Sequence, residues 1–243
     1  MLIFATFIIW PAIRGFFISF YDSSDGVDFT YVGTKNFKTI AKDANIALVA
    51  QHTAIYVIFY VTLSVILSLT FAIVVNDQVF AKGFFRAILF LPVMLSPVVV
   101  GLIWGDILDR KAGPLNAMLQ FFGGGAPGWL VEPKLAMVSV IFVGVWVHLG
   151  FYSIILLAGL QGIDKSLLEA ASMDGATKWQ VTRRIVLPLL KPTAFVIIIL
   201  STIHGFQSFD FIYTLSGGGP AGATTLIVQY IYDQAFQFPI QYG

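Results

Sequence analysis

Cysteine is absent from the 243 residues and charge is scarce, with 14 Lys and Arg against 13 Asp and Glu and a formal net charge of +1. The first absence excludes disulfides, thiolate metal sites and a cysteine nucleophile, without identifying a redox compartment. The second excludes a soluble domain. Such a domain carries about a quarter charged residues, whereas this chain has 11%, with 58% hydrophobic residues and a mean hydropathy of +0.85. No long basic run occurs, so there is no electrostatic footprint for nucleic acid. A Gly-x-x-x-x-Gly-Lys-Ser/Thr loop is also missing, and the glycine clusters at 123–125 and 217–219 lack the lysine and hydroxyl that would cradle phosphates. They read as flexible loop. His52, His148 and His204 show no metal-ligand spacing, and no paired carboxylates or Ser/His set stands at catalytic spacing. No catalytic residue and no metal ligand is therefore assigned.

What the chain has is apolar length. A bilayer-spanning helix needs about 20 predominantly apolar residues, because lipid offers the backbone no hydrogen bonds. Five stretches qualify, at 2–20, 54–75, 87–107, 135–160 and 193–214. The expected fold is all-α, a polytopic helix bundle forming a single transmembrane domain over 1–243. The first stretch contains Pro11 and Arg14; a signal peptide is the rival there, but a basic leader and a small-x-small cleavage site are missing. The densest cationic group, Lys165, Lys178, Arg183, Arg184 and Lys191, falls in 161–191, which the positive-inside rule places in the cytoplasm. Parity puts 76–86 inside too, and 22–45 and 215–243 outside.

The cytoplasmic segment reads as helix, turn, helix. Ser166 and Glu169 have capping-box spacing, with Asp164 a competing N-cap. Gly175 is free to take the left-handed conformation that ends the first helix. Thr177 and Gln180 repeat the capping-box spacing, and Pro188 is expected to break the second helix at Leu187. A hairpin this short has no core of its own, so it must dock on another protein or on the membrane surface.

The run Glu169-Ala170-Ala171, then Asp174-Gly175-Ala176, Ile185 and Leu187-Pro188-Leu189-Leu190-Lys191-Pro192 resembles the EAA loop of permease subunits in ABC importers, in the version found in carbohydrate and glycerol-phosphate systems. Val32-Gly33 with Asn36-Phe37, Phe85-Arg86 with Leu91-Pro92, Gly113-Pro114-Leu115-Asn116 and Leu215-Ser216-Gly217-Gly218-Gly219-Pro220 extend the likeness over most of the chain. The resemblance implies that 161–192 is the coupling loop, with Glu169, Ala170, Ala171, Asp174 and Gly175 seated in a cleft on the ATPase. It further implies a second permease subunit, an ABC ATPase dimer, an extracytoplasmic solute-binding protein and membrane lipid as partners. No cofactor is expected on this chain, with ATP and Mg on the ATPase. A bacterial or archaeal inner membrane is the expected location, and a sixth helix is expected beyond Gly243.

Two further patterns lie within the spans. Gly101 and Gly105 form a Gly-x-x-x-Gly that favours close helix packing, while Asp106, Asp109 and Arg110 read as interfacial. Trp146, Leu149, Gly150 and Ser153 stand at i, i+3, i+4 and i+7 on the fourth span, and Ser201, His204, Gly205 and Ser208 repeat that spacing on the fifth. Each set shares one helix face. Ordinary packing accounts for such stripes as well as a solute path does. In the maltose-type permeases that the chain resembles, matching positions line the sugar site. The function expected is thus a permease for a sugar or oligosaccharide working by alternating access. Glycerol 3-phosphate or a polyol phosphate is the alternative substrate, and a multi-span membrane enzyme or a passive channel the alternative class.

Overall fold

The computed structural model describes residues 1–23, 27–76, 88 and 90–236. The expected inner connection at 76–86, with Phe85 and Arg86, and the last residues of 215–243 therefore lie largely outside the described residues. Helices dominate: α1 (Leu2–Ile18), α2 (Lys35–Lys42), α3 (Ala44–Asn76), α4 (Pro97–Ile107), α5 (Pro114–Phe121), α6 (Pro133–Gln161), α7 (Lys165–Met173), α8 (Lys178–Gln207), α9 (Asp210–Ser216) and α10 (Ile227–Phe236). A two-stranded antiparallel ribbon pairs β1 (Tyr21–Asp22) with β2 (Thr30–Tyr31), Tyr21 opposite Tyr31. The chain divides into two compact units, Met1–His52 with Leu226–Gly243, and Thr53–Thr225.

Among the described residues, three helices are long and apolar enough to cross a membrane, α3, α6 and α8, and α1 and α4 are shorter apolar helices. The fourth predicted span matches α6 closely. The second begins ten residues early, as α3 has 33 residues, about 50 Å at 1.5 Å per residue.

Two spans differ from expectation. The third is not continuous: residues 90–94 are helical, Ser96 is extended at ψ 133°, and α4 restarts with Pro97 in its first turn. A proline pushes its predecessor out of helical geometry, and its missing N–H costs nothing at a helix start. The fifth starts early and ends early. Pro188 does not break the second hairpin helix, because residues Thr182–Val186 form a π-turn just ahead of it and α8 runs through both Pro188 and Pro192. The wider turn shifts the carbonyl register that the proline ring would otherwise strike. The first helix repeats the device, with a π-turn at Ala5–Ile9 ahead of Pro11. At its far end α8 stops at Gln207, Ser208 is extended, and α9 follows as a separate helix.

In the first unit, Asn36 on α2 donates to the Ser19 and Tyr21 carbonyls at 3.1 and 2.8 Å. The Phe20 and Phe37 rings meet at 5.2 Å. These contacts give the Val32-Gly33 and Asn36-Phe37 motif a structural role. In the second unit, Tyr56, Tyr60, Val100, Val140, Tyr152, Leu156 and Ile197 are buried core. A Cβ on Gly101 would overlap Thr214 Oγ1 and lie 2.7 Å from the Phe211 carbonyl, whereas one on Gly105 meets nothing within 4 Å. Among the described residues the predicted close approach is thus made at Gly101, against α9, and not at Gly105.

The Gly217–Gly219 cluster is a tied turn rather than a flexible loop. Gly217 and Gly218 hold φ of 59° and 84°, and Thr224 donates to the Gly219 carbonyl at 2.8 Å while bonding Ser216 at 2.8 Å. Asn116 plays a similar part in the Gly113-Pro114-Leu115-Asn116 motif. Its side chain, 2% exposed, donates to the Arg110 and Pro127 carbonyls and accepts from Trp129 Nε1. Both of its N–H donors are thus used, and its carbonyl oxygen holds the indole.

Candidate functional site

The α6 and α8 faces meet through a row of polar-tipped aromatics. Tyr152 on α6 places its hydroxyl 2.8 Å from Nδ1 of His204 on α8 and 3.1 Å from the hydroxyl of Tyr60 on α3. His148, one turn before Tyr152, stacks on His204 with ring centroids 4.8 Å apart. Tyr56 stacks on Tyr60 at 5.5 Å and donates to Ser208 Oγ at 3.2 Å. The serine then donates to the His204 carbonyl at 2.8 Å. That last bond satisfies one of the carbonyls left open where α8 ends. Three helices are tied by hydroxyl and imidazole groups inside an otherwise apolar core.

The predicted α8 stripe sits on this face. Ser201, Gly205 and Ser208 are buried and His204 half-buried. Gly205 makes room for Tyr60, as a Cβ there would stand 3.2 Å from Tyr60 Cδ1. The Ser201 hydroxyl is spent on the Ile197 carbonyl at 2.7 Å, so the stripe's tertiary hydrogen bonds come from His204 and Ser208. The α6 stripe divides. Trp146 packs edge to face on Trp104 of α4, centroids 5.3 Å apart, and Ser153 donates to the Leu149 carbonyl at 2.6 Å. Gly150 is buried and Leu149 half-buried. The residues of α6 that reach His204 are thus His148 and Tyr152, which the i, i+3, i+4, i+7 pattern passed over. Together with Tyr56 and Tyr60 they carried a readable signal: two i, i+4 pairs of aromatics with polar tips inside apolar runs.

The hairpin is built from local chemistry. Asp164 is the N-cap of α7, accepting from the Ser166 amide at 2.9 Å, and that amide holds its carboxyl below the ordinary range. The competing Ser166 cap is not used. Gly175 ends the helix at φ 77°, and the Thr177–Gln180 capping box opens α8 as the sequence predicted. Glu169, Ala170, Asp174 and Gly175 are exposed and Ala171 half-buried. Met173 and Trp179 are 89% and 67% exposed, an apolar surface left uncovered among the described residues. A depression of about 350 Å³ runs along the turn, with Asp174, Gly175, Gln180 and Arg184 among its lining. Among the described residues the one ion pair is Lys35–Asp22, so Glu169, Asp174 and Arg184 are free to meet charges on another molecule. No group of His, Asp and Glu among the described residues is placed to hold a metal ion.

Comparison with known proteins agrees with this architecture. Residues 64–241 match the family described as the binding-protein-dependent transport system inner membrane component. The chain is 35% identical to the trehalose/maltose transport system permease protein MalF of Thermococcus litoralis, over 91% of this chain and 75% of that protein. It is 32% identical to the sn-glycerol-3-phosphate transport system permease protein UgpA of Agrobacterium fabrum, over 95% and 79%. Among solved structures, a bacterial ABC transporter involved in the import of the acidic polysaccharide alginate superimposes with a TM-score of 0.83 at 26% identity, covering 97% of this chain and 81% of that one. The same score, 0.83, is found for a bacterial alginate ABC transporter in complex with its alginate pentasaccharide-bound periplasmic protein. The chain therefore belongs to the binding-protein-dependent transport system inner membrane component family, as a multi-pass permease subunit of the carbohydrate type of ABC importer and not an enzyme.

Proposed function

We propose that this subunit passes a neutral sugar or oligosaccharide along the facing surfaces of α6 and α8, with Trp146, Leu149, Gly150, Ser153, Ser201, His204, Gly205 and Ser208 along the path. The observation that carries the reading is the uncharged polar row at that junction: imidazole and hydroxyl groups suit sugar hydroxyls, and an indole face suits stacking. No Asp, Glu, Lys or Arg occurs in 135–161 or in 192–207. An anionic substrate such as glycerol 3-phosphate would want a cation there, so it is the second reading, favoured by the likeness to UgpA.

Movement uphill needs ATP, bound with Mg on a partner ATPase dimer. The exposed hairpin is the part suited to receive that motion. In this reading α7 seats Glu169, Ala170, Ala171, Asp174 and Gly175 on the ATPase from the cytoplasmic side, a second permease completes the path, and a solute-binding protein delivers the sugar. Alternating access follows when two states of the bundle differ in their contacts with solute and ATPase.

Uptake by the complete transporter decides between the substrates. Radiolabelled maltose and trehalose are expected to be transported and sn-glycerol 3-phosphate excluded; the reverse order would refute the neutral-sugar reading. His204→Ala and Ser208→Ala should change the ranking of sugars, because a site built to hydrogen-bond rejects analogues that lack the partner group. Equal loss for every sugar with reduced assembly would make the stripe a packing face. The absence of native cysteine allows orientation to be read as well: Ser172→Cys should resist an impermeant thiol reagent applied outside intact cells.

A further inference from the structure

The helix α2, Lys35–Lys42, carries three lysines and no acid. Lys35, Lys38 and Lys42 stand at i, i+3 and i+7 and share one face with Thr39, while Asn36, Phe37 and Ile40 fall on the other. That second face is fixed to the end of the apolar run 2–20. Asn36 bonds the Ser19 and Tyr21 carbonyls, and Phe37 packs on Phe20. The lysine row therefore stands where an apolar helix gives way to polar surroundings, which is the level of lipid headgroups.

Two cavities adjoin along this helix, both within the first unit. One, of about 380 Å³, is lined by Thr34, Lys35, Lys38, Thr39 and Lys42 together with Val32. The other is a groove of about 500 Å³ whose apolar wall includes Ile40, Ile46, Ile227 and Ile231. Thr39 lines both. The acids near the two ends of α2 are already engaged, Asp22 with Lys35 at 3.4 Å and Asp43 with Tyr230. Lys38 and Lys42 have no ion pair among the described residues. Unmatched positive charge thus lies directly beside an open apolar wall.

We propose that these adjoining cavities bind one anionic phospholipid, with its phosphate on Lys38 and Lys42 and an acyl chain along the isoleucine groove. A free anion leaves the groove unfilled, and a neutral lipid leaves the lysines unmatched. A molecule that joins an anion to an apolar chain satisfies both halves, and a basic amphipathic helix at a membrane surface gains from each. The groove is walled by α2, α3 and α10, so the bound lipid ties these helices together. The site does not depend on which solute is carried.

The test is native mass spectrometry of the complete transporter in detergent with dioleoyl phosphatidylglycerol, compared with dioleoyl phosphatidylcholine and inorganic phosphate. Phosphatidylglycerol should be retained in preference to phosphatidylcholine. Lys38→Gln should weaken that binding about fivefold, the worth of one lysine beside anionic lipid, and Lys38→Gln with Lys42→Gln about 25-fold. The paired Lys→Arg variant should bind as wild type, which separates loss of charge from damage to the fold. Ile231→Ser should weaken dioleoyl phosphatidylglycerol and leave the short-chain dihexanoyl lipid unchanged. Equal retention of the two lipids, or wild-type retention in the double Gln variant, overturns the proposal. Displacement by inorganic phosphate at matching concentration, with Ile231→Ser silent, would make this a free-anion site and overturn it too. If the double Gln variant kept its lipid but lost capture of the solute-binding protein, the lysine row would belong to that partner instead.

Discussion

The cytoplasmic hairpin and the α3–α6–α8 junction are ordered by opposite means. Every contact that shapes the hairpin is short in sequence: Asp164 to Ser166, Thr177 to Gln180, and a glycine with positive φ between them. Its outer surface, including Met173 and Trp179, is left open. At the junction the contacts join Tyr56 to Ser208, Tyr60 to Tyr152 and Tyr152 to His204, far apart in the chain and largely enclosed. In the proposed reading the hairpin docks on another protein, and such a region has to be pre-shaped without help from the rest of the fold. A region that must hold a precise polar geometry inside the bundle needs several helices to hold it.

The largest effect that tests this contrast is expected at Gly175. At φ 77° a β-branched residue is strained by about 1–2 kcal/mol, and the same turn sets where Glu169 and Asp174 face. Gly175→Val should therefore reach the membrane and lose uptake by more than about tenfold, a change worth about 1.4 kcal/mol. Glu169→Lys should do the same by mispairing charge at the docking surface. The checks are uptake and co-purification of the ATPase, and wild-type values in both would show that the hairpin's shape does not matter to coupling.

A second, smaller effect separates tight from open glycines. A Cβ on Gly144 would stand 2.5 Å from Tyr56 Oη, and Tyr56 is fully enclosed, so Gly144→Ala should cost about 1–3 kcal/mol as overpacking. Gly105→Ala meets nothing within 4 Å and should be neutral or gain up to about 1 kcal/mol from helix propensity. Melting of the purified transporter in detergent measures both. Equal shifts would mean that the junction yields as easily as an open helix face.

The same contrast explains what could be read from the sequence. Caps, the Gly175 turn and the α6 span depend on neighbours in the chain, so Asp164, Thr177 and the run 135–160 announced them. The break at Ser96 had its signal in Pro97. Pro188 misled, because a proline's effect depends on whether a π-turn precedes it, and the sequence 182–186 carries no composition that marks one. The α6 residues that touch His204, His148 and Tyr152, lie beside the stripe that periodicity picked out. Periodicity finds a face only after the contacting neighbour is known, and Trp146 turned toward Trp104 of α4 while His148 and Tyr152 took the place beside α8.

One contact combines the two modes, being distant in sequence yet only half-buried, and it tests whether distance or enclosure gives the junction its strength. Tyr230 on α10 donates to the Asp43 carboxylate at the start of α3, both within the first unit. The phenol holds the Asp43 carboxyl below its ordinary value of 3.8, and the carboxylate raises Tyr230 above its ordinary 10.0. A depressed carboxyl contributes stability above the unfolded pKa that is lost as pH falls through the folded one. A raised phenol contributes stability below its unfolded pKa that is lost as pH rises toward the folded one. The contact should therefore hold α10 from above pH 3.8 to below pH 10.0 and loosen at both ends. Because the pair is only half-buried, solvent screening should keep the effect small. Hydrogen exchange of the α10 amides, corrected for intrinsic rates, should show protection falling at both extremes in wild type and no such window in Tyr230→Phe. If protection in Tyr230→Phe followed the same two-sided profile, the window would belong to other groups. A loss at Tyr230→Phe as large as that at Gly144→Ala would show that distance in sequence, rather than enclosure, is what gives these contacts their strength.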